Sequence, residues 1–191
     1  MKRWQAILPL AALVGLGTLG AAQLMRPKDD NFIAKADRLA PEMSFPLLGE
    51  ETQEISFSPP PSGKPVMVNL FASWCAPCRV EHPEVTALAE AYPGQVFGLA
   101  YKDAPEATQG FLDELGNPFE QIGVDQSGQG GLEFGLTGVP ETFVISPDGR
   151  IILHVRGVLD ATVHAAGLEY SLRDRTVVLV SGEAEPSSDD P

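Results

Sequence analysis

Cysteine is scarce. The 191 residues include two, Cys75 and Cys78, and only three histidines, His82, His154 and His164. Two cysteines exclude a multi-bridge disulfide framework. A four-ligand zinc site would need two more Cys or His at compatible spacing, and the histidines are scattered. Positive charge is short as well: 13 Lys and Arg face 26 Asp and Glu. Four of the bases (Lys2, Arg3, Arg26, Lys28) precede the first acid, Asp29, so the rest carries nine bases against 26 acids, a net of −17. Such a surface repels nucleic acid and anionic lipid heads. Gly128-Gln129-Gly130-Gly131 lacks the Gly-Lys-Ser/Thr ending of a phosphate loop and reads as a flexible connection. No internal repeat is visible.

Long charge-free runs are missing except at the start. Trp4 to Met25 is a stretch of 22 residues preceded by Lys2 and Arg3. As a helix at about 1.5 Å per residue it spans roughly 33 Å, against a bilayer core of about 30 Å. The flanking bases hold the N-terminus in the cytoplasm and send the remainder to the far side. A retained anchor is the favoured reading on length. A cleaved signal peptide, processed near Gly20-Ala21-Ala22, is the alternative. Either way the domain lies where a disulfide can persist.

What is there is Trp74-Cys75-Ala76-Pro77-Cys78. Two residues between the sulfurs let them meet within one helical turn and cycle between dithiol and disulfide. A structural staple gains more from a longer loop, so the spacing points to chemistry. Val66 to Ala72 is nearly continuous apolar sequence, the pattern of a strand buried on both faces. Val85, Leu88, Ala89 and Tyr92 then recur at helical spacing, and Pro93-Gly94 ends that helix. The cysteines therefore sit where a central strand hands over to a helix. The unpaired N–H groups at a helix start favour a thiolate at Cys75, the reactive form.

The remaining pattern predicts a polar tether over residues 26–42, a hairpin over 43–57, and a proline-rich loop at 59–63. Beyond the helix at 76–92 it predicts a strand at 96–101, a helix at 105–115, a short strand near 119–124, and a short helix near 132–134. Thr142 to Ser146 and Ile151 to Val155 read as strands joined by Pro147-Asp148-Gly149. Asp160 caps a last helix carrying Val163, Ala166, Gly167 and Tyr170. Thr176 to Val180 is an unplaced apolar run. The division is an anchor over 1–28, a tether over 29–42, a domain over 43–175 and an acidic tail over 176–191.

With Val139-Pro140 ahead of the second hairpin, the chain resembles thioredoxin-fold proteins. Within that fold it resembles the membrane-anchored thiol–disulfide proteins of bacterial cytochrome c maturation, the CcmG/DsbE family. The residues carrying this are Asn69 to His82, then Tyr101-Lys102-Asp103, then Leu115-Gly116-Asn117-Pro118, then Gly138-Val139-Pro140-Glu141-Thr142-Phe143. The resemblance implies an α/β thioredoxin fold, a mixed central sheet flanked by helices. To it are added an N-terminal hairpin, a central helical insertion and one preceding transmembrane helix.

The resemblance also implies the site. Pro140 has a cis peptide bond and lies against the disulfide, and the Val139 backbone pairs with an extended client segment. Trp74 shapes the docking face. Glu81 and Glu141 line the active site, where either accepts the Cys78 proton through a water and where their charge raises the thiol pKa values. On the residues alone, Glu81 reads as a solvated first-turn acid and His82 as a surface or helix-kink neighbour of Pro83, which bends the helix. The implied activity is that of a periplasmic reductant, with Cys75 attacking and Cys78 resolving. Proline before the second cysteine, Pro77, accords with the reducing members of the fold. The implied client is the haem-binding Cys-x-x-Cys-His of an apocytochrome c or a partner thiol protein. The implied electron donor is a membrane protein of the DsbD/CcdA type. No bound cofactor or metal is expected. A general reductase of exported proteins shares the same chemistry. A peroxidase would want threonine where Ala72 stands, and a copper-binding assembly factor would recruit His154.

Overall fold

The computed structural model describes Leu16 and residues 32–159. Apart from Leu16, the expected anchor lies outside the described residues, as do the final helix from Asp160 and the C-terminal tail. Among the described residues no helix is long and apolar enough to cross a membrane.

Strands β1 (Phe32–Leu39), β2 (Ser44–Leu47), β3 (Glu50–Ser56) and β4 (Val66–Phe71) come first. Helix α1 (Ala76–Ala91), strand β5 (Val96–Tyr101), helix α2 (Pro105–Leu115), strand β6 (Ile122–Asp125) and the short helix α3 (Gln129–Glu133) follow. Strands β7 (Glu141–Ile145) and β8 (Arg150–Arg156) close the described part. All eight strands form one sheet, in the order β1-β8-β7-β4-β5-β6-β2-β3.

The centre is β4, every residue of which is buried. It runs parallel to β5 through the α1 crossover and antiparallel to β7. Because side chains alternate along a strand, the sheet sorts its core into two layers. Met67 and Phe71 point to the side covered by α1 and α2, joining Val85, Leu88, Phe111 and Phe119. There the Phe71 and Phe119 rings stack at 4.9 Å. Val66, Val68 and Leu70 point the other way, toward Phe45, Phe57, Phe134 and Phe143. Burying each such aromatic contributes about 1.5–3 kcal/mol.

The predicted mixed sheet and both hairpins are present, and the helices at 76–91 and 105–115 follow the apolar periodicity. Residues 32–39 differ from expectation. Read as tether, they form edge strand β1, paired antiparallel with β8 from Phe32↔Arg156 to Leu39↔Arg150. An edge strand has one neighbour only, and charge on it deters further pairing; Asp37 and Arg38 fit that rule while hiding the strand from a search for apolar runs. The sheet thus begins before residue 43. The glycine-rich stretch also differs. Gly130 and Gly131 are buried inside α3, where a β-carbon would run into the Phe45 ring and the Tyr101 ring respectively. These glycines serve close packing and are not a flexible connection.

Candidate active site

Cys75 is the N-cap of α1, and Cys78 lies in its first turn. The two sulfurs are bonded, with 5.3 Å between the α-carbons. The Cys78 N–H donates to Cys75 Sγ at 3.1 Å, so the sulfur takes up one of the donors that a helix start leaves unpaired. Pro77 falls in that same turn, where its missing N–H costs nothing. Both cysteines are nearly covered, at 3% and 2% exposure. Around them Trp74, Ala76, Pro77 and Val80 are exposed and make the accessible rim of the pair.

The Val139–Pro140 bond is cis. Val139 is half-buried and packs against the cluster containing both cysteines. The Pro140 carbonyl accepts from the Gly157 N–H at 3.1 Å, tying this loop to the end of β8.

Glu81 lies on the buried face of α1 with Cys78 and Val85. It is 1% exposed, not a solvated first-turn acid. Asn69 Nδ2 donates to its Oε1 at 2.8 Å, and the Leu159 N–H donates to its Oε2 at 2.8 Å. Burial pushes its pKa up to about 7, with the Leu159 amide and Asn69 pulling part of the way back. A carboxyl poised there, on the helix face of Cys78, can exchange a proton near neutrality.

Glu141 is placed differently from expectation. It shares a side of β7 with Phe143, the side facing away from α1, because the strand alternates and Thr142 takes the inward position. Its Oε2 pairs with His154 Nε2 at 2.7 Å. Its Oε1 accepts from the Thr137 N–H at 3.0 Å and from the Thr137 hydroxyl. Burial raises its pKa, but the His154 and Thr137 contacts outweigh it and hold the carboxyl below its usual range. Glu141 therefore braces the loop that carries Pro140 from beneath and does not meet Glu81. His154, stacked on Phe143 at 4.1 Å, is on that same far side and is not placed to join the cysteines around a metal. His82 is buried, not superficial: its Nε2 donates to the Gly116 carbonyl at 3.1 Å, and burial lowers its pKa.

One group escaped the sequence reading. Asp103, in the loop between β5 and α2, is 5% exposed and accepts from the Ser73 N–H at 2.7 Å, the Ser73 hydroxyl at 2.8 Å and the Thr108 hydroxyl at 2.9 Å. The only signal for it was its place in Tyr101-Lys102-Asp103.

The Redoxin family profile matches residues 35–172. The thiol:disulfide interchange protein HelX of Rhodobacter capsulatus is 40% identical over 157 residues, covering 81% of this chain and 88% of the relative. The thiol:disulfide interchange protein DsbE homolog of Paracoccus denitrificans is 37% identical over 157 residues, covering 80% and 84%. The crystal structure of a secreted thiol-disulfide isomerase from Corynebacterium glutamicum superposes with a TM-score of 0.62 at 21% identity, over 76% of this chain and 94% of that one, a likeness of fold. The profile covers most of the described domain and the relatives align over most of their own length, so the chain belongs to the redoxin family and, within it, to the DsbE/HelX thiol:disulfide interchange proteins.

Proposed function

We propose that the protein is a periplasmic reductant of cytochrome c biogenesis. The observation that carries the chemistry is the Cys75–Cys78 pair at the start of α1, with Val139 of the cis Val139–Pro140 bond packed against the same cluster. In the dithiol state Cys75 thiolate attacks one sulfur of a client disulfide. A Cys75–client bond forms, and the other client sulfur leaves as thiolate and takes up a proton. Cys78 then gives its proton to Glu81, through a water, and attacks Cys75 Sγ. The Cys75–Cys78 bond forms and the second client thiol is released. Two electrons pass to the client, and the protein is left oxidised.

The client is the haem-binding Cys-x-x-Cys-His segment of an apocytochrome c, or a thiol protein that holds it, since only free thiols can add to haem. Trp74 and the Val139 backbone make the docking wall, with the client laid as a short strand beside residue 139. Regeneration needs two electrons from a membrane thiol donor of the DsbD/CcdA type. The chain needs no bound cofactor beyond its own disulfide, and residues 4–25 hold it to the inner membrane. The family membership and the proline at position 77 support this direction of electron flow.

The test is a Cys78→Ser chain expressed in cells making c-type cytochromes. It should accumulate a mixed disulfide with an apocytochrome c or its thiol partner. Capture of a broad set of exported proteins instead would make it a general reductase. A Cys75–Cys78 potential near the about −120 mV of a strong oxidant, and not near the about −270 mV of thioredoxin, would reverse the direction.

A further inference from the structure

The two cysteines have restraints of their own. The Cys75 N–H donates to the Ala72 carbonyl at 3.2 Å, and Cys75 Sγ accepts from the Cys78 N–H. Trp74, between them and the strand, is different. It is 59% exposed, and its indole Nε1 donates to the Lys102 carbonyl at 3.1 Å. Two features hold that carbonyl in place. Lys102 has φ of +47°, the only positive φ among the described non-glycine residues, a conformation that persists where surroundings impose it. Its N–H donates to the Asp125 carbonyl at 2.9 Å. Next door, the Asp103 carboxylate binds Ser73 through both backbone and side chain, and anchors itself on Thr108 of α2.

We propose that Asp103 is a specificity-determining positioning residue: through Ser73, and with the neighbouring Lys102 carbonyl, it fixes Trp74 as a rigid wall beside Cys75 for polypeptide clients. Asp103 touches neither sulfur. Its loss frees Trp74 without removing the helix start that holds the cysteines. The effect therefore falls on client binding and spares the reaction of Cys75 with small reagents. This inference rests on the exchange chemistry proposed above.

The test uses the full chain, fully reduced, in a Trp4→Phe background so that Trp74 alone emits. Single-turnover reduction of a synthetic disulfide peptide bearing Cys-x-x-Cys-His gives a half-saturating concentration and a limiting rate. Asp103→Asn should raise the former about tenfold, as loss of charge-assisted hydrogen bonds implies. The limiting rate and the alkylation of Cys75 by iodoacetamide should stay within about twofold. Trp74 fluorescence anisotropy should fall. Ser73→Ala, which deletes one donor only, should shift both readouts the same way by about threefold or less, and serves if the Asn variant does not fold. Unchanged half-saturation with unchanged anisotropy overturns the proposal. So does a fall in alkylation and limiting rate with half-saturation intact, which would put the effect at the sulfur. A parent protein that leaves the peptide oxidised sinks the exchange reading instead, and the anisotropy arm still decides whether Asp103 fixes Trp74.

Discussion

Two buried glutamates, on opposite sides of the sheet, respond to pH in opposite directions. Glu81 has its folded pKa raised to about 7 from 4.5, so between those values the folded state holds a proton that the unfolded state has released. Stability must therefore fall as pH rises from about 4.5 to about 7, by roughly 3 kcal/mol from this group, and level off above. In Glu81→Gln that downward slope should vanish, read as the difference in urea unfolding free energy between pH 5 and pH 8. Equal slopes in the two proteins would show that Glu81 carries no such load. The same substitution should slow mixed-disulfide resolution by about 10²-fold near neutral pH, the usual worth of a positioned proton acceptor. Glu141 has its folded pKa depressed by His154 and Thr137. Its contribution is present above the ordinary carboxyl range and is lost as pH falls through the depressed value. His154→Phe keeps the stacking partner of Phe143 and removes the donor to Glu141. It should move acid unfolding to higher pH and leave the Glu81 slope unchanged.

At the level of elements, local pattern and tertiary context divide cleanly. Strand β4, helices α1 and α2 and the β7–β8 hairpin were legible because their apolar residues repeat at the period of the structure they adopt. The cysteine pair was legible because its spacing and its strand-to-helix setting are both local. Strand β1 was hidden because one hydrogen-bonded neighbour, β8, decides its state. How the two acids are placed was hidden for a related reason. Glu141 stands next to Pro140 in sequence, but strand alternation turns it to the far layer, while Glu81 reaches Asn69 and Leu159 across 12 and 78 residues. The glycines of α3 show the same limit, since composition says flexibility where contact says density. Gly130→Ala would drive a methyl into the Phe45 ring, which is 3% exposed. The cost should be about 1–3 kcal/mol, seen as a lowered urea midpoint with an unchanged slope, although alanine is the better helix former. A neutral or stabilising result would mean that the β2–β3 hairpin can move away from α3.

Across the whole molecule, charge is what a client meets first. Beyond residue 28 the net is −17, and near the cysteines the guanidinium of Arg79 is already paired with Glu114 at 2.8 Å. A field of one sign acts on a client before contact: it speeds the approach of basic polypeptides and slows acidic ones. Salt removes that bias, because the screening length shrinks from about 30 Å at 0.01 M to about 10 Å at 0.1 M. Two disulfide peptides with the same Cys-x-x-Cys-His core, one flanked by lysines and one by glutamates, separate steering from the chemistry of exchange. The second-order rate for the lysine peptide should fall about tenfold or more between these salt concentrations, and that for the glutamate peptide should rise. The limiting single-turnover rates should stay equal, since disulfide exchange begins only after docking. Parallel salt curves for the two peptides would leave the acidic surface with solubility as its role. Client choice would then fall to the rim of Trp74, Pro77, Val80 and Val139 alone.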